Sequence, residues 1–212
     1  MKTNRVITLS RQLGSGGHEI GKLLAERLEI PFYDKELLVE AARQSGFSRE
    51  AFEAADEKPT NSFLYSLSVG SHMMTSAYTD YSQFLTNDQL FLKQAEAIRR
   101  IAGEGPCVIV GRCADYVLRD RGDLLSIFVH AALDIRVKRI MKLQNLSEDK
   151  ARAYVVKADK KRGNYYNFYT GKDWSRADSY DFCIDAGKLG IRGAERMIEE
   201  IVRLADLGYP EA

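Results

Sequence analysis

The 212-residue sequence predicts a three-layer α/β sandwich, a parallel sheet of about five strands with helices on both faces. Three observations point there. Short apolar, β-branched runs alternate with longer segments whose apolar positions recur at helical spacing. Two of the runs, 107–110 and 124–129, are almost wholly apolar, as in strands buried on both faces. A glycine-rich loop, Ser10-Arg11-Gln12-Leu13-Gly14-Ser15-Gly16-Gly17, stands directly between the first strand and the first helix.

The first strand is Val6-Ile7-Thr8-Leu9, and the first helix starts at His18 with Ile20, Leu23, Leu24 and Leu28 on one face. Residues 29–34 read as a loop and a very short second strand with Pro31 at its edge. Helical patterns follow over 35–44, closed by Gly46, and from Ser48. Periodicity dissolves over 56–87, where Ser, Thr, Asn and Tyr dominate; so long a loop in a compact domain is functional or mobile as a rule. Asn87 or Asp88 then caps a helix to about Ala102. After the strand at 107–110 comes a short helix at 114–118, the strand at 124–129, and helices over 134–143 and 147 to about 161. A strand at 181–185 and a helix over 191–204 close the chain.

In sheets of this kind ligands sit beyond the carboxyl ends of the strands. That rule selects Ser10 to Gly17, Asp34, Gly111-Arg112, His130 and Asp185. A strand, glycine loop and helix N-terminus together present backbone N–H groups to an anion, so Gly14, Ser15, Gly16, Gly17, His18 and Glu19 are the candidate phosphate cradle. Against the pattern G-x-x-x-x-G-K-[ST], Gly17 stands where the Lys belongs, Glu19 near the hydroxyl, and Arg11 at the first Gly. The backbone half of the device is present and the side-chain half is rewritten. Arg11 and His18 are the candidate replacement cations, with Lys22 a poorer third. The alternative is a tight turn that binds nothing.

Arg112 follows a buried strand and would fork onto a phosphate, or pair with Asp115. Asp34 would hold a nucleobase amine, a sugar hydroxyl or hydrated Mg²⁺, or cap the helix after it. Residues 157–176 carry six basic and five aromatic side chains. They read as a lid bearing Lys161, Arg162 and Arg176, as a base-stacking surface for nucleic acid, or as a packed turn or a homodimer contact. His72 and His130 lack metal-like partners, and no G-x-S-x-G supports acyl transfer.

Lys+Arg 31 against Asp+Glu 30 leaves a formal charge of +1, so no overall field favours nucleic acid or an anionic membrane. No apolar run reaches membrane-spanning length. Three cysteines without C-x-x-C spacing, and a basic N-terminus with no apolar core, fit a cytoplasmic protein with reduced thiols.

The segments ITLSRQLGSGGHEIGKLLAERLEIPFYDKELL, VIVGRCADYVL and DKKRGNYYNFYTGKDW with SYDFCID together resemble the cytidylate kinase-like family. The resemblance implies a P-loop NTPase-type sandwich in one domain, with a helical acceptor-binding insertion at about 35–87 and a lid at about 157–176. It implies transfer of the ATP γ-phosphoryl group, with Mg²⁺, to a nucleotide or related small acceptor. Cytidylate kinases carry the P-loop Lys and Ser/Thr where this chain has Gly17 and Glu19, and G-R-D where it has Gly111-Arg112-Cys113. Their acidic acceptor residue precedes a hydroxylated one, whereas here Asp34 precedes Lys35. Only Arg162 and Arg176 answer to their lid arginines. The expected catalytic cations are Arg11, Arg112 and Arg162, the acceptor side Asp34, Lys35 and Arg112; the metal ligands are unassigned. A non-catalytic nucleotide sensor and a binding module built on 157–176 are the competing readings.

Overall fold

The structure, a computed structural model, describes residues 3–34 and 77–208. The elements are β1 (Val6–Arg11), α1 (Gly17–Leu28), β2 (Phe32–Tyr33), α2 (Ala77–Glu104), β3 (Cys107–Val110) and α3 (Ala114–Val117). After them come β4 (Leu124–His130), α4 (Leu133–Gln144), α5 (Glu148–Thr170), a 3-10 turn (Ala177–Ser179), β5 (Phe182–Asp185) and α6 (Ala186–Leu207). The five strands form one sheet in the order β2-β3-β1-β4-β5, every pair parallel. β1 is central, with Val6 opposite Cys107 on one side and Leu124 on the other.

The two faces of β1 explain the layers. Ile7 and Leu9 point to one side and pack with Ile20, Leu24 and Leu28 of α1 and Ile198 and Val202 of α6. Val6 points to the other and packs with Ile109 of β3, Ile98 and Ile101 of α2, and Ala114 and Val117 of α3. Side chains such as Ile7, Leu9 and Ile98 are wholly buried, each worth about 1.5–3 kcal/mol relative to exposure. On the same side as α2 and α3, but toward the β4–β5 edge, Phe128 packs with Tyr165, Tyr166, Trp174 and Tyr180. Helices α4 and α5 pair as a hairpin around Val137, Ile140, Ala151 and Val155.

Three boundaries differ from expectation. Helix α2 begins at Ala77, inside the stretch read as irregular, and not at Asn87 or Asp88. Asp88 caps nothing there: its Oδ1 accepts from the Tyr169 hydroxyl at 3.1 Å. Helix α5 continues past Lys161 to Thr170, because Tyr165, Tyr166 and Trp174 bury themselves against the sheet. These three rings are not available to stack on bases, whereas Phe168 of the same segment is exposed. The last helix starts earlier, at Ala186, but breaks at Gly190 (φ 67°, ψ 171°), so the long amphipathic run begins at Ile191 as expected. Lys35, the helices expected after it and most of the 35–87 insertion lie outside the described residues. No helix among the described residues is long and apolar enough to cross a membrane.

Candidate active site

The loop after β1 is held in shape by Gln12. Its N–H donates to Val129 O (3.1 Å), its carbonyl accepts from the Ser15 hydroxyl (2.9 Å), and its Oε1 accepts from Ala131 N–H (3.2 Å). Ser15, expected at a phosphate, is buried and spends its hydroxyl on the loop itself. Gly14 (φ 80°) and Gly16 (φ 88°) take the left-handed conformation that turns the chain into α1. Among the described residues, the N–H groups of Gly14, Gly16, Gly17, His18 and Glu19 donate to no protein acceptor, and the first helical bond is Ile20 N–H to Gly16 O. Five amides left without a protein acceptor at the head of a twelve-residue helix form an anion socket.

Arg11 ends β1. A Cβ built on Gly17 would lie 2.5 Å from Arg11 Cβ and 3.0 Å from its Cγ, so the Arg11 stem occupies the space beside residue 17. The guanidinium reaches onward to Gly111, where a Cβ would come within 2.3 Å of Arg11 Nη1. Arg11 therefore folds inward across the position that a P-loop lysine takes in the pattern.

Gly111, Arg112 and Cys113 are three successive left-handed residues (φ 82°, 59° and 54°). For Arg112 and Cys113 that conformation costs about 1–3 kcal/mol each, strain of the kind that gathers at functional sites. Arg112 is buried at this turn, beside the Tyr165 phenol of α5. Arg162, on α5, donates to Arg11 O at 3.1 Å. Arg11, Arg112 and Arg162 thus line a single small cleft with Ser10, Cys113 and Tyr165. Burial pushes the Tyr165 and Tyr166 phenols and the Asp115 carboxyl up from their ordinary values. Asp115 accepts from the Tyr166 hydroxyl at 2.6 Å.

Two polar residues missed in the sequence shape the surroundings. Asp159, inside the basic run of α5, accepts from Leu13 N–H through Oδ1 (2.8 Å) and from Arg136 Nη1 through Oδ2 (2.5 Å). The buried Arg136 also donates to Leu13 O (3.1 Å) and Ala131 O (2.9 Å). No local pattern singles Asp159 out; only the alternation of sign in Lys157-Ala-Asp159-Lys160 hinted at it. Gln94, the other, is polar and buried in α2 and accepts from the Tyr165 hydroxyl at 3.3 Å.

The remaining expected residues are distributed as follows. His18 Nε2–H donates to Asp34 Oδ2 at 3.0 Å, and the imidazole meets the Phe32 ring edge-on. Glu19 pairs with Arg139 of α4 at 2.5 Å. Arg176 is exposed and bonded to Asp178, and neither it nor Lys161 lines the arginine cleft. His130 and Asp185 do not join it either; they line a neighbouring depression with Phe128 and Cys183.

The five amides and three arginines suit a polyphosphate such as that of ATP. Mg²⁺ is different. No group of three or more His, Cys, Asp or Glu among the described residues could hold a metal ion. Mg²⁺ keeps most of its waters and needs few protein ligands beside substrate phosphates, so these residues build no metal site of their own.

A model of the family described as "Cytidylate kinase-like family" matches residues 6–188. A cytidylate kinase from Methanocaldococcus jannaschii is 22% identical over 200 residues, covering 93% of this chain and 97% of the relative. A solved structure of a protein from Eubacterium ventriosum has a TM-score of 0.69 at 29% identity, covering 94% of this chain and 98% of that one. The shikimate kinase of Bacteroides thetaiotaomicron shares the fold, with a TM-score of 0.55 at 15% identity over 94% of this chain and 98% of its own.

Proposed function

Because the chain belongs to the cytidylate kinase-like family, we propose that it is a phosphotransferase moving the γ-phosphoryl group of ATP to a nucleotide or a related small molecule. The observation that carries this is the path of Arg11, whose stem crosses Gly17 and whose guanidinium joins Arg112 and Arg162 in one cleft. Phosphoryl transfer asks the protein mainly for positioning and for neutralising charge on the equatorial oxygens. Here the amides of Gly14 and Gly16 to Glu19 cradle the donor phosphates. Arg11 supplies the positive charge that a P-loop lysine would bring, and Arg112 and Arg162 oppose the developing charge from the sheet and from α5. Mg²⁺, arriving with the nucleotide, neutralises phosphate charge when bound.

The test is ATP turnover against a panel of nucleoside monophosphates, nucleosides and polyols, with Arg11→Ala and Arg112→Ala as controls. Each variant is expected to lower turnover by about 10²–10³-fold, the usual loss for one charge-stabilising donor. ATP binding without turnover for any acceptor would favour the nucleotide sensor instead.

A further inference from the structure

We propose that His18 and Asp34 form a general-base pair and that the acceptor presents a hydroxyl group, not a phosphate, to the transferred phosphoryl group. This rests on the phosphotransferase reading and names the acceptor's chemistry. His18 is the residue after Gly17 in the first turn of α1, so its backbone belongs to the donor socket, and its imidazole leaves that socket toward Asp34 and Phe32. Asp34 follows β2, two strands away from β1 across β3. The two side chains meet at 3.0 Å, and Phe32 packs edge-on against the imidazole with ring centroids 5.4 Å apart. The pair therefore spans from the donor loop toward the β2 end of the sheet.

A histidine whose Nε2–H is given to a carboxylate is held in one tautomer, and Nδ1 is left as a proton acceptor. That is the arrangement of a base oriented by a third group. A phosphate acceptor has no use for it, since its oxygens are already ionised near neutrality (second pKa about 6). A hydroxyl oxygen must lose a proton to attack. In the step, the acceptor oxygen's electron pair forms the new bond to Pγ as its proton passes to His18 Nδ1. The bond from Pγ to the β–γ bridging oxygen breaks, ADP leaves with that electron pair, and the imidazolium returns its proton to solvent.

The experiment gives the full chain ATP and, separately, a nucleoside monophosphate panel and a hydroxyl panel of nucleosides and polyols. ³¹P NMR distinguishes a new phosphomonoester from a new diphosphate. The expected product is a phosphomonoester. His18→Asn and Asp34→Asn should each lower kcat for it by about 10²–10⁴-fold, the range for general-base catalysis, while the Kd for ATP, read by calorimetry, moves less than about threefold. His18 is more than half exposed, so the substitution leaves the core untouched, and circular dichroism checks that. A diphosphate product overturns the hydroxyl acceptor, and one whose rate ignores His18→Asn overturns the pair as well; both leave the phosphotransferase standing. A monoester formed with kcat unchanged in both variants overturns the pair, again with the phosphotransferase standing. No transfer to either panel, with ATP bound, takes down the phosphotransferase reading itself.

Discussion

Gly17→Ala is the most discriminating perturbation of the loop. Gly17 opens α1 with an ordinary helical φ, so alanine there should on propensity alone stabilise the chain by up to about 1 kcal/mol. The surroundings reverse the sign. The new Cβ would sit 2.5 Å from Arg11 Cβ, 3.0 Å from Arg11 Cγ and 3.4 Å from Val129 Cβ, against an optimum of about 3.5–4.0 Å for carbon pairs. Arg11 Cβ cannot retreat, because its backbone is paired in register with Val129 of β4. Overpacking of this kind costs about 1–3 kcal/mol. The net expectation is a loss of about 1–2 kcal/mol, or a fall in Tm of about 2–8 °C for a chain of this size. Gly17→Lys, which writes the missing lysine back in, should lower ATP turnover and not raise it. Thermal unfolding of the single variants and of Arg11→Gly/Gly17→Ala measures the coupling, expected at about 1 kcal/mol or more. A higher Tm for Gly17→Ala, or a coupling near zero, would refute the claim that Arg11 fills the space beside Gly17.

Asp159→Ala strands the buried Arg136 without its carboxylate and frees Leu13 N–H; a loss of about 3 kcal/mol is expected, read by urea unfolding. Asp115 gives a pH signature. Burial raises its folded pKa above the ordinary 3.8, so its contribution to stability is fully present below pH 3.8 and is lost as pH rises through the raised folded value. Asp115→Asn, which still accepts from Tyr166, should therefore gain stability relative to the parent as pH climbs from 4 to 7. A flat difference across that range would contradict the burial argument.

The strands were legible because each is a short apolar run with a turn behind it, and the loop because glycines at 14, 16 and 17 serve no helix. The same reading found the cleft's arginines, Arg112 from its place at the end of β3 and Arg162 within a basic segment. Gly17 was the hard residue. In the sequence it is the absence of a lysine; in the fold it is room for Arg11, six positions earlier and across the turn. Asp88 misled for a related reason, since a residue type that caps helices also bonds to a neighbouring helix, as it does to Tyr169. The aromatic run 165–174 has a composition that suits both a binding face and a core. Only Phe128 and Tyr180, distant in sequence, decide for the core.

Leu13 sits at the entrance of the glycine loop, yet its side chain lodges among Val137, Ile140, Ala151 and Val155 in the α4–α5 hairpin, and its N–H and C=O are bound by Asp159 and Arg136. The loop is keyed into that hairpin as a heel into a socket. Any rocking of the two helices is transmitted directly to the amides that face the donor phosphates. Transplanting a lysine-bearing loop from a relative would then have to carry the hairpin with it, because the two are one mechanical part.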